Sequence, residues 1–148
     1  MSIFSSINIS SSALTAERTR MDVIAKNLAN ANTTRTQSGD PYRRQVTVFK
    51  AAKEQKSFKS ILSSKTGENR SSSKGVEIVG IVEDKTPFRQ IYDPGHPDAD
   101  DKGYVTMSNV DTITEMVDMI SATRSYEANA TALTTSKNML LKALEIGK

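Results

Sequence analysis

The sequence predicts an α+β fold in which long N- and C-terminal helices pair as an antiparallel, coiled-coil-like unit around a small antiparallel β-unit. Apolar residues recur every seven positions within residues 7–31, and residues 108–146 contain neither Gly nor Pro. Between these segments, β-branched residues alternate or cluster between turn signals, which predicts strands. We therefore expect a terminal-helix domain (residues 1–33 and 108–148) and a β domain (residues 34–107).

The first helix is predicted from about Ser10 to about Asn30, with the serines at 10–12 as alternative N-caps. Residues 1–6 either lengthen this helix or fray. Asn30 and Asn32 suit a left-handed turn at its end, because Asn adopts that conformation more readily than most residues. Glu17 interrupts the apolar stripe once. The stripe, a candidate packing and assembly interface, consists of Ile7, Leu14, Met21, Ile24, Leu28 and Ala31.

Three or four strands are predicted in the middle of the chain. Turn residues such as Pro41, Pro87 and Gly103 precede them, and the second is expected to bend at Gly80. The fourth is either a short strand or an extended lead-in to the second helix. The four segments are residues 42–50, 75–84, 88–92 and 104–107.

Two loops connect the predicted strands. Residues 50–75 are rich in Ser and Lys, with too few apolar groups to offset the entropy lost on ordering, so we expect an exposed loop or hairpin tip. Residues 93–103 contain two prolines and predict a turn-rich loop.

The second helix is predicted to begin near Ser108, which has capping-box spacing to Asp111. Asp111, Glu115 and Asp118 place negative charge at the positive end of the helix dipole. A helix of about 38 residues would reach about 57 Å, so part of it must meet other subunits or stay exposed. Its candidate packing and assembly residues are Met116, Ile120, Tyr126, Leu133, Leu140 and Leu144.

Composition excludes several classes of protein. The chain has no Cys, so it forms neither disulfides nor thiolate metal sites. No apolar run approaches the roughly 20 residues of a membrane-spanning helix. The first residues lack the basic and apolar regions of a cleaved secretory signal. We expect a protein with no membrane span and no cleaved signal.

His96 is the only His, and it lies among prolines and aspartates. A small hydrolase or metalloenzyme would use it as a general base or ligand, but no Ser, Cys or second His completes such a site, which favours a surface turn residue. Asp98, Asp100 and Gly103 match three positions of an EF-hand loop, but Asn109 stands where a bidentate Glu is required. We predict no catalytic residue, metal, cofactor or small-molecule substrate.

A basic segment, residues 42–74, suggests an alternative function as a nucleic-acid-binding protein. It carries nine basic residues against two acidic ones. Its aromatic residues, Tyr42, Phe49 and Phe58, are too sparse for a base-stacking platform. A solvated loop is therefore favoured, and no nucleic-acid partner is predicted.

Several segments together resemble the bacterial flagellar axial rod and hook family, in particular its proximal rod proteins. SALTAERTRMDVIAKNLANANTT, ending in an Asn-rich segment, is similar to the signature shared by rod and hook proteins. PYRRQVTVF, YDPGHPDADDKGYV and NVDTITEMVDMISATRSYEANATALTTSKNMLLKALEIG are similar to the proximal rod type. The short chain also favours that type over rod and hook proteins with larger inserted domains. The motif residues are Asn27, Asn30, Asn32, Pro94, Gly95, Gly103, Tyr104, Asn109 and Asp111.

The resemblance implies a structural subunit of the proximal rod of the flagellar basal body. It implies helical assembly with other copies and other rod proteins into a tube that transmits motor torque. It also implies export by the flagellar type III apparatus. Proline is common in this family where Ser108 stands, and we expect Ser108 to act as the N-cap of the second helix.

Overall fold

The computed structural model describes residues 3–52 and 75–146. One long helix precedes the four strands in the sequence and another follows them, so the predicted α+β class is confirmed. Among the described residues, neither helix combines the length and apolar character that crossing a bilayer requires. The elements are α1 (Ile3–Ala29), β1 (Gln45–Ala51), β2 (Val76–Glu83), β3 (Arg89–Tyr92), β4 (Tyr104–Met107) and α2 (Thr112–Ile146).

The two helices pack against each other in antiparallel orientation. Asn27, near the end of α1, bonds to Glu115, near the start of α2. Further along the pair, the hydroxyl of Thr123 lies 3.7 Å from the sulfur of Met21. Few side chains of the two helices are deeply buried, and two of them, Asn27 and Glu115, are polar. The buried apolar residues are Ala16, Val23 and Ile24 of α1 and Ala122 of α2.

The first helix begins earlier than predicted, at Ile3, and the serines at 10–12 are therefore inside it rather than at its N-cap. The Ser12 hydroxyl donates to the carbonyl oxygen of Ile9 at 2.7 Å. Thr15 and Thr19 likewise donate to carbonyls one turn back. Because the hydroxyls bond within the helix, they do not compete with it by forming a cap or turn.

The predicted left-handed turn at Asn30 and Asn32 is wrong. Among the described residues, positive φ angles occur at glycines alone. After α1 ends, the Asn30 amide donates to the carbonyl of Lys26 at 3.1 Å, and the Asn30 side chain donates to the same oxygen at 2.9 Å. The helix therefore ends with carbonyls capped in a right-handed turn.

The four strands form two separate antiparallel sheets, β1–β2 and β3–β4. In the first sheet, Val48 pairs with Gly80 and Phe49 pairs with Ile78, so Val79 is left without a partner in the ladder. This β-bulge is adjacent to Gly80, where the sequence predicted a bend. The predicted β-unit is therefore divided into two sheets.

The first strand begins at Gln45 rather than at residue 42. The preceding amides bond elsewhere: Tyr42 N donates to Thr33 O at 3.4 Å, and Arg44 N donates to the side chain of Asn109 at 2.7 Å. Most of the predicted 50–75 loop lies outside the described residues, and its first residues, Lys50 and Ala51, belong to β1.

The second helix begins at Thr112, and Asp111 rather than Ser108 is its N-cap. The Asp111 carboxylate accepts from the Thr114 hydroxyl at 2.9 Å and from the Ile113 amide at 3.0 Å. These two hydrogen bonds, in that order, lower the pKa of Asp111. Ser108 is instead buried, and its hydroxyl accepts from the amide of Val110 at 3.3 Å. The predicted Ser108 cap is therefore wrong.

Candidate assembly interface

A group of polar side chains joins the helix pair to the first sheet. We call it the polar junction. Its residues come from α1, α2 and the segments on either side of the strands, so it brings together parts of the chain up to 91 positions apart. The polar junction consists of Asn27, Tyr42, Arg44, Asp84, Asn109, Glu115 and Asp118.

Asn27 is at the centre of the polar junction, 1% exposed, and uses its whole side-chain amide. Its nitrogen donates to Gln45 O at 2.8 Å and to Glu115 Oε2 at 2.9 Å. Its oxygen accepts from Gln45 N at 2.9 Å and from the Tyr42 hydroxyl at 3.0 Å. A buried amide with all its partners present avoids the penalty of an unpaired polar group and fixes its neighbours in place. Asn27 therefore sets how β1 begins against α1.

Glu115 is fully buried in the first turn of α2, where it also faces the positive end of the helix dipole. Its second oxygen, Oε1, accepts from Arg44 Nε at 2.7 Å. Arg44 also lies 3.4 Å from Asp84 Oδ2 and 3.5 Å from Asp118 Oδ2. Burial opposes the charge of Arg44, but the hydrogen bond and charge of Glu115, followed by those of Asp84, raise the pKa of Arg44 above its usual value.

Asn109 and Tyr42 complete the polar junction. The Asn109 amide nitrogen donates to Thr86 Oγ1 at 2.8 Å and to Asp84 O at 3.2 Å, which holds the end of β2 beside α2. Burial, then the negative charges of Glu115 and Glu83, raise the pKa of Tyr42. Tyr42 therefore stays a neutral donor to Asn27.

The predicted residues of α1 lie around the face that meets α2. Ile24 is buried, and the others on the seven-residue stripe are half-buried. The most buried positions, Ala16, Val23 and Asn27, lie on the adjacent face of the helix. The half-buried residues are Ile7, Leu14, Met21, Leu28 and Ala31.

The predicted residues of α2 fall on two sides of the helix. Leu133 and Leu140 are half-buried. They lie on the same face of α2 as Glu115 and Ala122, the face that meets α1. Four apolar residues lie on the opposite side at i, i+3, i+4 and i+7 spacing, and we call them the exposed stripe. They are Ile113 (70% exposed), Met116 (48%), Val117 (61%) and Ile120 (55%).

The carboxyl end of α2 extends beyond α1. The helix α2 has 35 residues and α1 has 27, a difference of eight. Since Asn27 and Glu115 bond close to the end of α1 and the start of α2, that end of the pair is flush and the extra length falls at the other end. We call residues 139–146 the α2 tip, about 12 Å long. Met139, Leu141 and Leu144 of the α2 tip are exposed, and Leu144 is 71% exposed.

Four of the motif residues, Pro94, Gly95, Gly103 and Tyr104, lie in or beside the turn between β3 and β4. Gly103 has a φ of +79°, and a Cβ there would lie 2.9 Å from the ring of Tyr92, so only Gly fits. Tyr92 and Tyr104 form an edge-to-face pair with ring centroids 5.3 Å apart. Asp93 Oδ1 accepts from the amide of Gly95, which follows Pro94 in the turn. Of the Asn-rich segment, Asn32 is exposed.

His96 has a local role in the same turn. Its Nδ1 accepts from the amide of Asp98 at 3.1 Å, and Asp98 Oδ2 accepts from the Thr34 hydroxyl at 2.8 Å. Within residues 3–52 and 75–146, no group of three His, Asp or Glu side chains is arranged to hold a metal ion.

Comparison with known proteins connects both helices to one structural family. The family described as flagella basal body rod protein matches residues 7–36, and the family described as flagellar basal body rod FlgEFG protein C-terminal matches residues 101–146. A flagellar basal-body rod protein FlgC from Bacillus subtilis is 50% identical over the full length of both chains. The chain belongs to the FlgC family of flagellar basal-body rod proteins.

Other FlgC proteins match over almost the same length. The Borreliella burgdorferi protein is 46% identical, covering 99% of this chain and 98% of its own. The protein of Escherichia coli O157:H7 is 40% identical over the full length of both chains. The prediction of a structural flagellar rod subunit is confirmed, and none of these relatives supports the nucleic-acid-binding alternative.

The two FlgC segments matched by the family descriptions contain the residues that meet across the helix pair. Residues 7–36 include Asn27, and residues 101–146 include Asn109 and Glu115. Sequence reasoning named Asn27 and Asn109 as motif residues, but it missed the role of Arg44 and assigned Glu115 only to the helix dipole. A signal for the position of Glu115 was available in its spacing. Glu115 lies seven residues before Ala122, on the face of α2 that meets α1.

Proposed function

We propose that the chain is a structural subunit of the proximal rod, self-assembling with other copies and other rod proteins into a helical axial tube that transmits motor torque. The paired terminal-helix domain, residues 1–33 and 108–148, forms the inner layer of this tube. The β domain, residues 34–107, lies outside it. The role of the chain is to pack against its neighbours, and this role involves no catalytic step, metal or small-molecule substrate.

The observation that carries this proposal is the exposed stripe on α2. Soluble monomeric proteins rarely leave several large apolar side chains together on one face, whereas interfaces do. In α2 the face opposite α1 carries Ile113, Met116, Val117 and Ile120, each at least 48% exposed. A rod subunit would bury this face against its neighbours.

The polar junction suits a subunit that carries torque. A drive shaft requires that the outer unit and the inner helices rotate together, so the connection between them must resist twisting. Asn27, Arg44 and Glu115 cross-brace α1, β1 and α2 through hydrogen bonds of 2.7–2.9 Å. Because Asn27 and Glu115 are buried and each bonds to more than one element, displacing one breaks hydrogen bonds of the others.

Export by the flagellar type III apparatus without a cleaved signal is part of the same proposal. Few apolar side chains are deeply buried between the two helices, and none of them is larger than Ile24. Such a weak seam stabilises the isolated helix pair little, which suits a subunit that passes a narrow channel before assembly orders it.

Truncation of residues 133–148 tests the proposal. We expect the truncated chain to be exported, as measured by its amount outside the cytoplasm, and to fail in building rods and restoring motility. A matched control replaces Lys85, exposed in the β domain, with Ser and should be motile. We assign residues 133–148 to assembly and not to export. Normal rods built from the truncated chain would contradict the first part of this assignment, and absent export would contradict the second.

A further inference from the structure

We propose that Ser12 is a positioning residue that fixes the angle between the first sheet and α1. Its hydroxyl attaches the sheet to α1 at a second point, far from the polar junction. Without this second attachment, the sheet would swing about the first. Both attachments lie within one chain, so they do not depend on the proposed assembly into a rod.

The first attachment, which we call the β1 corner, lies at the outer edge of β1. The Asp84 amide donates to Arg44 O at 2.8 Å, so these residues form a bonded pair of the ladder. In an antiparallel ladder, bonded pairs alternate with pairs whose backbone groups point away from the partner strand. The backbone groups of Gln45 therefore point away from β2, and both bond to the side chain of Asn27.

The second attachment, which we call the β2 corner, lies at the outer edge of β2 and at the opposite end of the first sheet. The Ala52 amide donates to Gly75 O at 2.9 Å, so the amide of Val76, one position later, points away from β1. This amide donates to the Ser12 hydroxyl at 3.1 Å. The hydroxyl is itself fixed, because it donates to Ile9 O at 2.7 Å.

The helix α1 therefore crosses the first sheet diagonally. It meets the edge of β1 at Asn27 and the edge of β2 at Ser12, which lie about 22 Å apart along the helix. Between the two corners, Ala16 and Val23 are buried on the same side of α1. A sheet held at two diagonally opposite corners cannot rotate about either of them, so the two attachments together set its angle.

Side-chain packing between the helix and the sheet is too open to set this angle by itself. A cleft of about 270 Å³ lies between α1, β1 and α2, and its lining includes Val23, Val46 and Phe49. Phe49 is 38% exposed, although it is the largest apolar side chain of β1. The hydrogen bonds at the two corners therefore carry the orientation of the sheet.

The two corners differ in strength. At the β1 corner, Asn27 is 1% exposed and bonds to both backbone groups of Gln45. At the β2 corner, Ser12 is half-buried and accepts from the single amide of Val76. Water competes more readily for the second contact, so the β2 corner opens before the β1 corner. The β1 corner is then the hinge about which the sheet swings.

Distances between pairs of spin labels test this role, because the chain has no Cys of its own. The β2-corner pair is Arg18→Cys with Glu77→Cys, and the β1-corner pair is Lys26→Cys with Glu83→Cys. All four residues are exposed, so labels at these positions leave the buried contacts in place. The distance distribution of each pair is measured in the full-length chain by double electron–electron resonance.

The substitution Ser12→Ala should broaden the distance distribution of the β2-corner pair about twofold and leave that of the β1-corner pair unchanged. Gly75→Ala disturbs the same corner from the side of the sheet, because a Cβ there would collide with the Ser12 hydroxyl. It should lengthen the distance of the β2-corner pair. The matched control, Ser11→Ala at an exposed neighbouring position, should change neither pair.

Two results would overturn the proposal. An unchanged β2-corner distribution in both Ser12→Ala and Gly75→Ala would mean that packing holds the sheet without this contact. Broadening at both corners in Ser12→Ala would mean that Ser12 supports the fold as a whole rather than one corner. Neither result bears on rod assembly, which the truncation of residues 133–148 tests separately.

Discussion

The amide nitrogen of Asn27 donates to Glu115 Oε2 at 2.9 Å, which joins the end of α1 to the start of α2 across 88 positions of sequence. Both residues are at most 1% exposed. The same Asn27 side chain holds both backbone groups of Gln45, so the antiparallel register of the helices and the position of β1 depend on one amide. A buried polar residue at such a position fixes register, as a single Asn does in coiled coils.

Replacing Asn27 with Ala should destabilise the chain strongly. The substitution removes the partner of Glu115 Oε2 and of both backbone groups of Gln45, and we expect a loss of about 2–4 kcal/mol in the free energy of unfolding. Urea denaturation of the purified chain measures this. Asn32→Ala, at an exposed motif position, is the matched control and should change stability by less than about 0.5 kcal/mol. Equal effects of the two substitutions would remove the special role of Asn27.

The Glu115–Arg44 pair should show strong energetic coupling. Glu115→Gln removes the nearest of the three carboxylates around the Arg44 guanidinium while Asp84 and Asp118 remain. We therefore expect a loss of about 1.5–3 kcal/mol in the free energy of unfolding, the usual contribution of a hydrogen bond to a charged group. Combining Glu115→Gln with Arg44→Met should cost less than the sum of the two single substitutions. Additive effects in this double-mutant cycle would show that the 2.7 Å contact between Arg44 Nε and Glu115 Oε1 adds little.

Acid should weaken the fold through Asp84 and Asp111. Hydrogen bonds lower the pKa of both: for Asp84 mainly from the Thr86 backbone, with further help from Thr86 and Arg44, and for Asp111 mainly from Thr114. A pKa that is lower in the folded state adds stability that is complete above the unfolded value, near 3.8, and is lost as the pH falls through the folded value. Urea midpoints measured from neutral pH to about pH 2 should therefore fall below about pH 4.

The substitution Asp111→Asn provides the check on that pH dependence. Asn remains a good N-cap, so helix α2 is kept while the titrating group is removed. We expect a shallower fall of stability in acid than in the parent chain. If the urea midpoints of the two proteins fall equally in acid, Asp111 does not contribute to the loss of stability.

Gly75, just before β2, and Gly80, within β2, should respond differently to replacement by Ala. Gly75 has a φ of +117°, and a Cβ there would collide with the Ser12 hydroxyl, which also accepts from the amide of Val76 at 3.1 Å. We expect Gly75→Ala to cost about 1–3 kcal/mol, because both the backbone and the contact with α1 are strained. A Cβ on Gly80 meets open space, so Gly80→Ala should be nearly neutral. Thermal unfolding compares them, and a neutral Gly75→Ala would contradict the close approach.

The helices and strands could be predicted because each rests on local pattern. The segment 104–107 matches β4, and the glycine-free run from 108 contains α2. The errors occurred where side chains from distant segments decide the outcome. Asn109 captures the amide of Arg44 and delays β1, and Asp111 rather than Ser108 caps α2 because Ser108 is buried. The spacing of Glu115 from Ala122 could indicate which face of α2 carries it, but its partner Arg44 lies 71 positions away and follows from no local pattern.

The central claim is that the face of α2 opposite α1 is an assembly surface. The double variant Met116→Ser, Ile120→Ser tests it most directly, because both residues are exposed in the single chain, 48% and 55%. A control replaces both Lys50 and Glu77 with Ser. These exposed residues pair across the first sheet, and replacing both keeps the net charge. Complete rods are counted by electron microscopy of isolated basal bodies. We expect the free energy of unfolding of the stripe variant to lie within about 0.5 kcal/mol of that of the parent chain. The stripe variant should nevertheless build few or no rods, while the control builds a normal number. A normal number of rods from the stripe variant would contradict the claim.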